Sequence, residues 1–136
     1  MPVRVFIVDD HDVVRQGVRR ILRSRQEWEV CGEAENGVEA LQKIADLQPD
    51  VVVLDVSMPQ KDGLAVATEL ATMKSSCKVL ILTMHNSTEV ESAIRRTGAH
   101  GYVIKSQAAK DLMRAIDTIL NGGLFFNTDA EPVRTQ

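Results

Sequence analysis

The residues with the most chemical capacity in this sequence stand at the ends of short apolar runs. Asp9 and Asp10 follow VRVFIV, Asp55 follows VVVL, Thr83 follows VLIL and Lys105 follows GYVI. Gathered in one place, the carboxylates would repel: two of them ~5 Å apart cost ~3 kcal/mol at an effective dielectric of ~20. A cation has to relieve that repulsion. Lys105 can supply one, and so can a hard divalent ion, Mg2+ above all, which takes carboxylate and carbonyl oxygens while keeping several waters. Acid pair, single acid, hydroxyl and ammonium together suit phosphoryl transfer. The transferred group is metaphosphate-like, with charge on its equatorial oxygens, so catalysis there is mostly positioning and charge neutralisation. A carboxylate can be the nucleophile and form an aspartyl-phosphate.

Whether these residues meet depends on the elements that carry them. Val3–Val8, broken only by Arg4, with residues 51–54 and residues 78–82 (from the valine onward), are apolar, β-branched runs, too short for helices, and predict buried parallel strands. Trp28–Ala34 and Gly101–Ile104 are shorter or interrupted by charge and predict strands at the sheet edges. Helical periodicity fills the gaps: Val14, Val18, Ile21 and Leu22; Val38, Leu41, Ile44 and Ala45; Leu64, Ala67, Leu70 and Ala71; Val90, Ala93 and Ile94; Leu112, Ala115, Ile116, Ile119 and Leu120. Asn86-Ser87-Thr88-Glu89 has the spacing of a capping box with Asn86 at the cap, and Gly98 would end that helix in a left-handed turn.

Strand and helix thus alternate five times, which predicts an α/β fold: a doubly wound, five-stranded parallel sheet with five helices on its two faces. Right-handed crossovers, with strands two and five at the edges, give the order 2-1-3-4-5. In such a sheet ligands bind beyond the carboxyl ends of the strands, where the order reverses, here between strands one and three. Asp9, Asp10 and Asp55 should therefore converge on one pocket, with Thr83 and Lys105 on the neighbouring strands.

Composition excludes several classes. The 136 residues suffice for one domain with a single good core, and the net charge of −3 is unlike that of a nucleic-acid binder. The early arginines Arg15, Arg19, Arg20, Arg23 and Arg25 read as the solvated face of an amphipathic helix. Neither a signal peptide nor an apolar stretch of membrane-spanning length is visible, so a cytoplasmic protein is expected. Cys31 and Cys77 lack metal-ligand spacing and read as buried thiols. His11 and His85 lie beside the expected pocket without ligand spacing, and His100 reads as a surface residue.

Val8-Asp9-Asp10, Leu54-Asp55-Val56-Ser57-Met58-Pro59 with Gly63, Leu82-Thr83-Met84 and Gly101-Tyr102-Val103-Ile104-Lys105 together resemble the receiver domain of two-component response regulators, a flavodoxin-like fold. The resemblance runs from about residue 3 to residue 121. It implies Asp55 as phosphoacceptor, with Mg2+ held by Asp9, Asp10, Asp55 and the backbone carbonyl of Ser57. It further implies that Lys105 and Thr83 bind the phosphoryl group, and that Thr83 and Tyr102 form the conformational switch. Ser57 and His85 stand where phosphoryl lifetime would be modulated. Met84 occupies a position that is often small in the family and bears on how freely Tyr102 can swing inward. Such a protein is a signalling switch rather than an enzyme, acting on itself in cis.

Residues 110–120 followed by Asn121-Gly122-Gly123-Leu124-Phe125-Phe126 resemble the end of receivers of the NarL/FixJ subclass, which continue to a LuxR-type helix-turn-helix. A receiver over residues 1–123 is therefore expected, with 124–136 as a tail or linker toward an output domain outside this chain. The implied partners are a cognate sensor histidine kinase, a second receiver in a homodimer formed on phosphorylation, and DNA only through that output domain; no membrane partner is implied. A pseudo-receiver, serving only as a protein-interaction module, is the alternative, although it usually lacks one of the acids or the lysine. A haloacid-dehalogenase-type phosphatase would need an acid where Ser57 stands, and an FMN module would not place an acid pair where its phosphate binds.

Overall fold

The computed structural model describes residues 2–56, 62–73, 77–84 and 87–126. The elements run β1 (Val3–Val8), α1 (Asp12–Leu22), β2 (Trp28–Ala34), α2 (Gly37–Leu47), β3 (Val51–Asp55), α3 (Gly63–Thr72), β4 (Lys78–Thr83), α4 (Thr88–Arg96), β5 (Gly101–Ile104) and α5 (Ala108–Leu120). The five strands form one parallel sheet in the order β2-β1-β3-β4-β5. The expected order and helix number are both found.

Parity along the central strands explains why both faces are covered. Phe6, Val8, Val52, Leu54, Val79 and Ile81 face one way, onto Ala40 and Ile44 of α2, Val66 and Leu70 of α3 and Ile94 of α4. Val5, Ile7, Val51, Val53, Leu80 and Leu82 face the other way, onto Val18 and Leu22 of α1 and Leu112, Ile116 and Ile119 of α5. All of β3 is buried. A strand buried on both faces has no reason to alternate polar and apolar residues, and this one does not.

β3 and β4 end on Asp55 and Thr83, as expected, while the structure corrects other local expectations. α2 turns Gly37, Ala40 and Ile44 inward and leaves Val38 exposed. α4 is capped by Ser87, whose side chain accepts from the Val90 N–H at 3.1 Å, and not by Asn86, which lies outside the described residues. At α2 the Glu39 N–H donates to Oδ1 of the cap residue Asn36 at 2.9 Å, and Glu39 Oε1 reaches past the cap to accept from the Glu35 N–H at 3.0 Å. That backbone hydrogen bond, with the nearby Lys43, lowers the Glu39 pKa below its ordinary value.

Three other expectations change. Arg15 and Arg19 both reach Glu33 on β2, and Arg25 makes a two-pronged pair with Asp117 of α5 at 2.7 Å per bond, so much of the arginine face is engaged rather than solvated. His100 is half-buried, with Nδ1 accepting from the Val79 N–H at 3.0 Å. The fold also runs past Gly123. The Phe125 N–H donates to His100 O, Phe125 O accepts from the Tyr102 N–H, and Phe126 is buried. Gly101 permits that approach, because a Cβ there would lie 2.6 Å from Phe125 O.

Candidate functional site

The site is built from the residues at the carboxyl ends of the strands. Asp9 comes directly after β1, fully buried, with its N–H on Ala34 O and its Oδ1 accepting from the His11 N–H at 2.9 Å. Arg15, one turn into α1, donates to Asp9 O at 2.6 Å and to Glu33 at 3.0 Å, which ties the end of β1 to both α1 and β2. Asp10 is partly exposed, at 28% of its side chain.

Asp55 closes β3 beside Leu82 of β4 and is buried at 1% exposure. Gly63, the first residue of α3, explains the close packing. A Cβ there would stand 1.9 Å from the Asp55 carbonyl oxygen, so any side chain would push α3 off the strand end.

Lys105 begins the short 3-10 turn after β5. Its Nζ lies 3.0 Å from Asp55 Oδ1 and 3.4 Å from Asp9 Oδ2, joining the ends of β1, β3 and β5. Burial by itself would lower the lysine pKa, but the hydrogen bond and charge of Asp55, with Asp9 behind them, outweigh it and raise the pKa above the ordinary value. Thr83 is buried at the end of β4.

Ligand atoms of Asp9, Asp10, His11 and Asp55 all lie within 4.8 Å of one another. Asp9 Oδ2 and Asp10 Oδ1 are buried without a well-formed hydrogen bond among the described residues, their near nitrogens being Lys105 Nζ at 3.4 Å and His11 Nδ1 at 3.0 Å. Buried carboxylate oxygens short of donors and crowded in this way are the donor set a hard divalent cation takes. Asp9, Asp10 and Asp55 therefore fit Mg2+. The carbonyl of Ser57 and the side chains of Ser57 and His85 lie outside the described residues.

Tyr102 is buried at 4% exposure. Its hydroxyl donates to Glu91 Oε1 at 3.0 Å. Sequence reasoning gave three participants no role at the site. His11 has its Nδ1 3.0 Å from Asp10 Oδ1 and 3.2 Å from Asp9 Oδ1; Arg15 anchors Asp9; Glu91 meets Tyr102. For His11 the adjacency to the acid pair was the available signal. For Glu91, an acid on the inward side of an otherwise apolar helical stripe was the clue.

The family model for the response regulator receiver domain matches residues 5–117. The chain belongs to that family. Among curated relatives, this receiver is 32% identical to the transcriptional regulatory protein DegU of Brevibacillus brevis over 125 residues, which is 92% of this chain and 53% of that protein. The chain thus spans about half the length of that relative. Among solved structures, it is similar to the signal receiver domain of the response regulator NarL from Mycobacterium tuberculosis, with a TM-score of 0.84, 32% identity, and coverage of 89% of this chain and 98% of that one. A two-component response regulator of the LuxR family from Aurantimonas sp. SI85-9A1 matches with a TM-score of 0.88 and 32% identity, covering 95% and 92%. The receiver thus groups with NarL- and DegU-type regulators of the LuxR family. Among the described residues, no helix is long and apolar enough to cross a membrane.

Proposed function

We propose that this receiver takes a phosphoryl group onto Asp55 from the phosphohistidine of a sensor histidine kinase. The reading is carried by one observation: Lys105 Nζ bridges Asp55 Oδ1 and Asp9 Oδ2 in a cluster where ligand atoms of Asp9, Asp10 and Asp55 lie within 4.8 Å of one another. In the transfer, an Asp55 carboxylate oxygen forms the new bond to phosphorus. The bond from phosphorus to the donor's imidazole nitrogen breaks, and that nitrogen keeps the electron pair. Lys105 neutralises charge gathering on the phosphoryl oxygens and the Thr83 hydroxyl donates to one of them, both held on strand ends with little freedom to reorganise. Mg2+, held by Asp9, Asp10 and Asp55 with the Ser57 carbonyl, would supply further charge neutralisation when bound. Water later cleaves the acyl phosphate and restores Asp55, with Ser57 and His85 placed in sequence to set how long that takes.

Kinase docking, pairing of receivers and control of DNA through an output domain after residue 126 are the downstream part of this proposal. A relative described as a transcriptional regulatory protein supports them. The pseudo-receiver alternative is disfavoured because acid pair, acid, threonine and lysine are all present, and the lysine is already engaged with two of the acids. The test is intact-mass measurement after incubation with acetyl phosphate, with Mg2+ and with a chelator. One added phosphoryl mass that needs Mg2+ supports the proposal, and no added mass under either condition rejects it.

A further inference from the structure

The aromatic cluster beside β5 touches the departing chain in more than one place. Tyr102 donates its hydroxyl to Glu91 Oε1 at 3.0 Å, and Arg95 Nε donates to Glu91 Oε2 at 3.2 Å. The Arg95 guanidinium lies 4.1 Å from the centroid of the Phe126 ring, and that ring is 5.9 Å from the ring of Tyr102. Both rings and Glu91 are buried. The backbone repeats the connection: the Tyr102 N–H donates to Phe125 O at 3.0 Å, and the Phe125 N–H to His100 O at 2.9 Å. One residue of β5 thus holds the segment 124–126 by both its side chain and its main chain.

The same residue answers to the pocket. Ile81 pairs with Tyr102 and Thr83 with Ile104, so Thr83 stands on the same sheet face as Tyr102, one pleat nearer the acids. A phosphoryl group that draws the Thr83 hydroxyl toward itself vacates volume on the pocket side of the tyrosine ring. Movement into that volume takes the ring away from Phe126 and from Glu91.

We infer that Tyr102, Glu91, Arg95 and Phe126 form a latch that seats residues 124–126 on β5, and that phosphorylation releases it. The state of the pocket then passes along the chain into the residues after Phe126. This rests on the function proposed above, and the experiment separates the two. Exchange of the Phe125 and Tyr102 amide hydrogens reports the seat, that of Val53 on central β3 reports global stability, and fluorotyrosine incorporation gives one resonance because the chain has a single tyrosine.

In the unphosphorylated chain, Tyr102→Phe and Glu91→Met, each of which removes the bond between hydroxyl and carboxylate, should speed Phe125 exchange about tenfold relative to Val53, as loss of one buried hydrogen bond predicts. Phe126→Leu, chosen to keep the fold, should shift the fluorine resonance of Tyr102. Beryllofluoride with Mg2+ should speed Phe125 exchange in the native chain by a similar factor. Unchanged Phe125 exchange in both hydrogen-bond variants overturns the latch, whatever happens at Asp55. A variant response without a beryllofluoride response overturns the transmission, and intact mass after acetyl phosphate then says whether Asp55 itself failed.

Discussion

Asp10 illustrates how much of the chemistry here is electrostatic tension. Its carboxylate lies with those of Asp9 and Asp55 in a space where ligand atoms are within 4.8 Å of one another, and Lys105 contacts Asp9 and Asp55. Removing Asp10 should raise the metal-free melting temperature, since like-charge repulsion is relieved, and should abolish the further rise on adding Mg2+. For the native chain that rise corresponds to ~1.4 kcal/mol at ten times Kd, or about 5 °C for a domain of this size. Thermal unfolding with and without Mg2+ measures both, and an Asp10→Ala chain that keeps the full Mg2+ shift would show that the acid is not a ligand. The acids, Thr83 and Lys105 were legible because each ends an apolar run and strand ends meet at the switch point. The contacts of Arg15 and Glu91 were not, because what they touch is fixed by side-chain direction across elements, which spacing within one element does not report.

His100 and Ser87 join residue to element. The Val79 N–H donates to His100 Nδ1, which requires an unprotonated nitrogen there, while burial and the charge of Lys78 lower the His100 pKa. As pH falls below ~6.5, the ordinary histidine value, the unfolded chain takes up this proton before the folded one does. Stability from this group is therefore complete above that pH and is lost as pH falls toward the depressed folded value. Urea midpoints between pH 7.5 and pH 5 should fall more for the native chain than for His100→Ala; parallel slopes would refute the assignment. Ser87→Ala should cost about 1 kcal/mol, the usual worth of a cap, in the same urea assay. That cap was misplaced by one residue in the sequence reading because Asn86 and Ser87 are both good cap residues and only backbone geometry chooses between them. Strand identities were clearer, since runs such as VVVL and VLIL admit no amphipathic helix. The seat of Phe125 and Phe126 was hidden because two residues with no periodicity look like a tail until β5 is seen to have an open edge beside them.

At the scale of the molecule, a twisted sheet covered on both faces leaves its chemistry to the strand ends, and only small movements are needed to report on it. The order β2-β1-β3-β4-β5 puts the acids on adjacent β1 and β3, with the hydroxyl and ammonium one and two strands away. Alternation and crossover handedness, with the short or charge-interrupted strands set at the edges, predicted that arrangement, and the resemblance to receivers pointed the same way. With 16 basic residues against 19 acidic ones, the 136-residue chain lacks the positive field that phosphate contacts demand. Anisotropy titration with promoter-length duplex at physiological salt should show no saturable binding, and saturable, sequence-dependent binding would reveal a DNA site on the receiver itself. The proposed chemistry turns on one atom group, the Asp55 carboxylate against Lys105. Native chain and Asp55→Asn, each incubated with acetyl phosphate and Mg2+ and then weighed intact, test it most directly. The native chain should gain a single alkali-labile phosphoryl mass and Asp55→Asn should gain none; an equal gain in the variant would contradict the assignment of Asp55 as the phosphoacceptor.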